Sequence, residues 1–346
     1  MRAHPRVGLF DHPFFRAHDA GAGHPERPER LEALRAELVR AGLEPRLALR
    51  TPRPATDAEL GRVHTGAHVA RVAATEGQRV RFDADTQAGP DSHVAARYAA
   101  GAVVEAVDAV LDDDLDRAFC AVRPPGHHAG AARAMGFCLF NNVAVGAAHA
   151  LARGLRRVLI VDFDVHHGNG TQEIFEAEPR VLYVSTHAYP HYPGTGSLDE
   201  QGRDAGTGFS VNLPLPAGCG DGEYLRVYRE LVKPIGLLFD PELVLVSAGF
   251  DPHVDDPLAG MAVTDSGFAG LTDVCLELAG GTAGGRAVLV LEGGYDLGGL
   301  GRSVVAVVSR LLGEKTPIET PEAAAELEAV MARARAALRG RWPVVG

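Results

Sequence analysis

Residues 157–171 read RVLIVDFDVHHGNGT and pass within a few positions from an apolar run to a cluster of carboxylates and imidazoles. Val158, Leu159, Ile160 and Val161 carry no polar face, the pattern of a central parallel strand covered on both sides. Where the run ends, an extended backbone would turn Asp162, Asp164 and His166 to one side and Phe163, Val165 and His167 to the other. Two carboxylates and an imidazole crowded at the end of a buried strand are costly unless a cation or a proton-transfer task offsets their desolvation and repulsion. The alternative is an ordinary polar loop leading from a strand into a helix. Asp251, directly after the SAGF turn, is the natural third partner for Asp164 and His166. Three protein ligands with an open position describe a catalytic metal, since a structural zinc is normally closed by four. His127 and His128 stand side by side in RPPGHHAG, where the prolines restrict the backbone in a way that suits positioned acid–base groups. Asp255 and Asp256, a little further from the strand end, are better suited to helix capping than to ligation.

These residues need a scaffold that gathers them. From residue 118 onward apolar runs alternate with helical segments, the signature of a parallel sheet with crossover helices. The runs that matter are AFCAV before RPPGHH, VLIV before DFDVHH, VLYVS before TH, LVLVSAGF before DPH, and AVLVL before EGGY. In open parallel sheets the carboxyl ends of the strands form the ligand crevice, so each run delivers its polar residues to one place. Because the pieces span Arg123 to Tyr295, no boundary between a catalytic and a binding domain can be drawn, and residues 1–346 are expected to form a single domain despite a length that favours two.

Upstream, Val7–Phe10 reads as a first strand. Leu31, Leu34 and Leu38 recur at helical spacing, with Pro28 in the first turn and Gly42 as a stop. The preceding HPERPER is unusual, with charged residues set between two prolines, and a solvated helix start is only one of its readings. Thr56 and Glu59 form a capping box ahead of another helix, residues 91–111 make a longer one rich in Ala and Val, and 82–90 is a loop between them. Residues 321–339 read as a polar terminal helix packed on the domain.

With 46% hydrophobic and 23% charged residues the chain has an ordinary globular composition. An excess of 45 Asp and Glu over 34 Lys and Arg, a formal charge of -11, argues against a non-specific nucleic-acid binder and is compatible with a cationic substrate. Cys120, Cys138, Cys219 and Cys275 are far apart with no C-x-x-C spacing, which points away from a zinc knuckle or disulfide framework and towards a reducing cytoplasm. The N-terminus lacks a long apolar segment, and no stretch approaches the ~18 apolar residues needed to span a bilayer. The expectation is a soluble, unprocessed, cytoplasmic protein.

RPPGHHA, GFCLFNNVAVGA, VDFDVHHGNGTQ, YPGTG, SAGFDPHVDDPLAG and LEGGYDL, in this order, resemble the successive motifs of the histone deacetylase superfamily, which includes acetylpolyamine amidohydrolases and acetoin-utilisation proteins. The resemblance runs from His24 to Tyr295, and the GNG and EGGY forms are similar to class II members. It implies a three-layer α/β/α fold with a mainly parallel, arginase/deacetylase-like sheet. The implied activity is zinc-dependent removal of acetyl groups from lysine side chains or related acylated amines. Carried onto matching positions, Asp164, His166 and Asp251 hold zinc, with iron(II) as another occupant, and the ion polarises the amide carbonyl and activates the attacking water. His127 contacts that water and is oriented by Asp162. His128 moves protons to the leaving amine, partnered by Asn169 where class I enzymes place an aspartate; a neutral partner raises an imidazole pKa less than a carboxylate does. Tyr295 donates its hydroxyl to the developing oxyanion, and Gly293 and Gly294 let its loop approach closely.

The same resemblance implies a potassium ion bound by Asp162, Asp164, Ser185 and the carbonyls of His166 and Thr186. Gly136, Phe137 and Tyr192 match the walls of an acyl-amine tunnel, with Tyr192 in place of the commoner phenylalanine. Asp85 matches a rim position that can accept hydrogen bonds from a peptide backbone, and its carboxylate can equally attract a polyamine. Leu258 stands where eukaryotic polyamine-specific relatives carry a glutamate. A leucine there leaves a secondary ammonium unpaired, so acetyl-lysine peptides or proteins are expected to outperform acetylated spermidine. The rival readings are an acetylpolyamine amidohydrolase and an inactive acyl-lysine binding module. No direct nucleic-acid or membrane partner is expected, and a homo-oligomer is compatible with the sequence.

Overall fold

In the computed structural model, residues 4–315, 317 and 321–345 are described. The apolar runs become strands: β1 Val7–Phe10, β2 Ala48–Arg50, β3 Val80–Arg81, β4 Gln87–Ala88, β5 Arg117–Cys120, β6 Val158–Asp162, β7 Val181–Ala188, β8 Ser210–Leu215, β9 Leu243–Ala248 and β10 Ala287–Leu291. Eight of them form one parallel sheet in the order β2-β1-β5-β10-β9-β6-β7-β8, and β3 and β4 pair separately as a short antiparallel ladder. Every residue of β6, β7, β9 and β10 is buried, which explains why these runs have no polar face.

Helices flank the sheet to give the α/β/α arrangement. Ser92–Leu111 packs on Asn142–Ala152, and Asp265–Thr282 packs on Leu297–Leu311, which in turn meets Glu29–Arg40. Their starts are written locally. Asn141 accepts Ala144 N–H at 3.0 Å, Asp296 accepts Gly299 N–H at 2.6 Å, and Thr264 caps through Gly267 N–H at 3.4 Å. Five adjacent strands, β5-β10-β9-β6-β7, end at the same edge, so the polar residues that follow them converge.

Several expectations need correcting. The terminal helix spans Leu327–Leu338 rather than 321–339, because Glu223 captures Ala324 N–H at 2.6 Å and holds the preceding segment out of helical geometry. The 82–90 loop contains Gln87–Ala88, which pairs with Val80–Arg81. The Thr56 capping box is present but heads a helix of only four residues, Asp57–Leu60. HPERPER is solvated only in part: Arg27 and Glu29 are exposed, but Glu26 and Arg30 are 1% and 0% exposed, because Glu26 meets the buried Arg123. Asp255 and Asp256 cap nothing; Thr264 caps the next helix, Asp255 pairs with Arg302, and Asp256 is buried against the Tyr295 backbone. β7 runs on through Thr186, His187 and Ala188, since His187 finds internal partners in Ser185 Oγ and Gly196 O, both at 2.8 Å. β2 and β8 are edge strands not singled out by their sequence, and β8 carries Pro214, which an edge tolerates.

Candidate active site

β6 ends at Asp162, and the backbone bends rather than continuing extended through the residues that follow. The bend still delivers Asp164 and His166 to one point. Their ligand atoms and those of Asp251, which follows β9, all lie within 4.8 Å of one another. His166 Nδ1 is 3.1 Å from Asp164 Oδ1 and 3.0 Å from Asp251 Oδ2. Burial and the neighbouring Asp164 push the Asp251 carboxyl up to about 7. Burial alone would lower the His166 pKa, but Asp251 and Asp164 outweigh it and raise it to about 10. Two carboxylates buried this close together call for a positive charge beside them. A divalent cation would fill that role with the same atoms, and the set of two carboxylates and one imidazole with an open side suits zinc or iron(II).

Asp162 does not join this cluster. Its Oδ2 accepts from His127 Nδ1 at 3.1 Å and Tyr183 Oη at 3.0 Å, and its Oδ1 accepts Asp164 N–H at 3.1 Å. In the sheet Asp162 lies opposite Ser185 on one side and Ser247 on the other. Ser185 Oγ is engaged with His187, and Thr186 Oγ1 donates to Asp162 O at 3.4 Å. Asp162, Ser185 and Thr186, expected at the potassium position, are therefore neighbours in the sheet.

The two histidines are placed by different partners. Burial disfavours charge on His127, but Asp164 and Asp162 outweigh it and hold its pKa well above the ordinary histidine value. Burial, His127 and His166 hold His128 well below it. His128 Nδ1 sits 2.8 Å from Asn169 Oδ1, which can only accept, so Nδ1 carries the proton and Nε2 is left basic.

These groups open into a cavity of about 80 Å³ lined by Asp85, Pro125, His127, His128, Gly136, Phe137, His166, Tyr192, Leu258, Gly293 and Tyr295. All five residues expected at the substrate channel line it. Gly136 has φ 56°, and a Cβ there would run into the His128 ring, so only glycine lets the wall lie this close. Phe137 has φ 69°, a strain of about 1–3 kcal/mol for a residue with a side chain. Its N–H is held by Thr86 Oγ1 at 3.1 Å, and its ring meets Tyr295 edge-on at 5.9 Å. The Tyr192 ring stands edge-on to both His128 and His166, at 5.2 and 6.0 Å. Burial and Asp83 raise the Asp85 pKa. A larger open cleft of about 850 Å³ beside Asp11 and Arg35 lacks such chemistry, its arginines being paired with Asp11 and Glu44.

Three buried carboxylates were missed as part of the site. Asp256 Oδ2 accepts Tyr295 N–H at 2.7 Å, and its Oδ1 accepts Leu258 N–H at 3.0 Å, linking two residues of the cavity wall. Glu26 binds Arg123 Nη2 at 2.8 Å and Arg30 Nη1 at 3.3 Å, while Arg30 donates to Gly294 O at 2.7 Å and Glu292 O at 2.6 Å. Burial pushes Glu292, the first residue of EGGY, up to about 7. The only hint was charge in places where a surface role did not require it.

A family model described as "Histone deacetylase domain" matches residues 24–311. The chain is 44% identical over 318 residues to Histone deacetylase 15 of Arabidopsis thaliana, covering 89% of this chain and 57% of that protein. It is 44% identical over 335 residues to Polyamine deacetylase HDAC10 of Homo sapiens, covering 92% and 49%. A bacterial relative, Histone deacetylase-like amidohydrolase of Pseudomonas aeruginosa, is 39% identical over 307 residues, covering 87% and 80%. The chain thus spans about half the length of the plant and human relatives. The crystal structure of the HDA15 HD domain superposes with a TM-score of 0.93 at 40% identity, covering 99% of this chain and 96% of that one.

Proposed function

The chain belongs to the histone deacetylase family, and from that premise we propose that it is a zinc-dependent amidohydrolase that removes acetyl groups from lysine side chains or related acylated amines. The observation that carries this reading is the Asp164, His166 and Asp251 cluster beside a narrow cavity that also receives both histidines and Tyr295. When bound, zinc at these three ligands supplies a Lewis acid for the amide carbonyl and for the attacking water. His127, held by Asp162, orients that water. His128, its pKa held down chiefly by burial, accepts a proton and returns it to the leaving amine. Tyr295 donates its hydroxyl to the oxygen that gains charge. Phe137 and Tyr192 exclude water along the acyl-amine chain, and Asp85 meets the substrate at the rim. Potassium near Asp162, Asp164 and Ser185 would offset buried negative charge. The reading extends to one domain over residues 1–346 and to a cytoplasmic setting. Among the described residues no helix is long and apolar enough to cross a membrane.

A second reading, acetylpolyamine hydrolysis, is favoured by the human relative whose name gives it that substrate. Leu258, which lines the cavity and offers a secondary ammonium no carboxylate, speaks against it, whereas Asp85 in the same cavity is a carboxylate able to attract a polyamine. The test measures metal content and compares kcat/KM for an acetyl-lysine peptide and acetylated spermidine, before and after Leu258→Glu. The peptide should be preferred by the natural enzyme, and the substitution should shift preference towards the polyamine. A natural preference for the polyamine of about tenfold, or ~1.4 kcal/mol, would select the second reading. A metal-loaded enzyme inactive on every acylated amine would leave only the binding-module reading.

A further inference from the structure

Glu292 is the first residue past β10, is 0% exposed, and has no part in the chemistry set out above. Its Oε2 accepts the backbone N–H of Gly126 at 2.6 Å and of His127 at 3.1 Å, and its Oε1 accepts the Ser247 hydroxyl at 3.1 Å. Ser247 lies in β9, and β10 sits between β9 and β5, so one carboxylate ties the loop leaving β5 to the ends of the next two strands. That loop is held a second time by Asn142, whose Nδ2 donates to Pro124 O at 3.0 Å. A buried carboxylate is costly unless its oxygens are hydrogen-bonded, and here three donors converge on it. An apolar side chain in its place would leave two buried N–H groups of the loop unpaired.

The loop carries both histidines, whose rings meet side chains of a different segment, Asp162 for His127 and Asn169 for His128, while His127 O accepts Thr171 N–H at 3.1 Å. Side-chain bonds of this kind orient a ring only if its backbone is already in place. We propose that Glu292 is a positioning residue for the deacetylation read above, clamping the Gly126 and His127 backbone so that both imidazoles meet the substrate in register. The inference rests on that reading for its catalytic consequence, while the clamp itself can be measured without any substrate.

The experiment compares Glu292→Ala, Glu292→Gln and Ser247→Ala with the natural enzyme. It reads kcat and KM on an acetyl-lysine peptide, bound metal, and amide hydrogen exchange of the peptide containing Gly126 and His127. Glutamine can accept both N–H groups through its oxygen and donate to Ser247, so it keeps the clamp and removes the charge. Glu292→Ala should lower kcat by about 10- to 100-fold with little change in KM, as expected of catalytic groups displaced by a fraction of an ångström to an ångström. It should also speed exchange of the two amides at unchanged metal content. Glu292→Gln should recover kcat to within about threefold and restore slow exchange. Equal losses for the two variants would assign the effect to charge and overturn the inference, as would a natural kcat and natural exchange in Glu292→Ala. Should Glu292→Ala fail to fold, Ser247→Ala, which removes one support of the carboxylate, must shift kcat and exchange in the same direction or the inference falls. A natural enzyme inactive on acylated amines would sink the deacetylase reading alone, and the exchange data would still decide the clamp.

Discussion

Tyr295 is held by its backbone and by its ring. Its N–H is fixed by Asp256, its ring lies edge-on to Phe137, and Arg30 stands 5.1 Å over its face. The preceding Gly293 packs against the ligand cluster so closely that a Cβ would collide with Asp251. Removing the hydroxyl should therefore leave the ring in place. Tyr295→Phe is expected to keep fold and metal content while lowering kcat by about 100-fold or more, the scale for losing an oxyanion donor. Steady-state kinetics with metal analysis check this, and near-natural turnover would remove Tyr295 from the mechanism. The two histidines make the complementary point. Adjacent in sequence, they are driven in opposite directions: Asp164 and Asp162 raise the His127 pKa, while burial and the neighbouring histidines lower that of His128.

At the scale of elements, the segment leading into Glu29–Arg40 works as a buried brace. Burial raises the Glu26 pKa, but Arg123 and His18 outweigh it and hold the carboxyl well below the ordinary range, so it is ionised. Arg123 also donates to Phe15 O at 2.8 Å and His18 O at 3.2 Å, which ties the first helical turn of the chain to the loop that carries the histidines. Glu26→Gln would leave Arg123 and Arg30 buried without their counter-charge. Loss of one partner from such a pair costs about 3–5 kcal/mol. Urea unfolding should report a destabilisation of that size, and a change below about 1 kcal/mol, the scale of an exposed ion pair, would contradict the brace.

For the molecule as a whole, buried neutral histidines should make stability depend on pH. His64 is 3% exposed, Nδ1 donates to Gly130 O at 3.0 Å, and Nε2 accepts Asn141 N–H at 2.9 Å. A second proton would expel the Asn141 N–H. Burial and His68 accordingly push the His64 pKa down to about 3. The unfolded chain binds this proton near pH 6.5 and the folded chain does not, so the stability is complete above that pH and is lost as pH falls towards 3. Between pH 6.5 and 5, His64→Gln should flatten the fall in unfolding free energy by up to about 1.4 kcal/mol per pH unit, one proton's worth. An unchanged slope would mean that His64 titrates alike in both states.

The sequence by itself determined the central strands and the groups at their ends, because both are local properties. Four or five consecutive apolar residues admit one kind of environment, and the carboxylates, imidazoles and tyrosine follow directly where each run stops. Parallel pairing then requires those ends to share an edge, so Asp164, His166, Asp251, His127, His128 and Tyr295 could be grouped before any coordinates. The tertiary structure alone decided what supports them. Glu26 meets Arg123 from 97 positions away, and Glu292 meets Gly126 from 166. Beyond a charge placed where no surface role requires it, nothing local distinguishes either glutamate from a solvated one. Edge strands β2 and β8 and the late start of Leu327–Leu338 were hidden for the same reason. Their state is set by a neighbour's hydrogen bonds, and burial of a charged or irregular segment depends on partners that only the folded chain brings within reach.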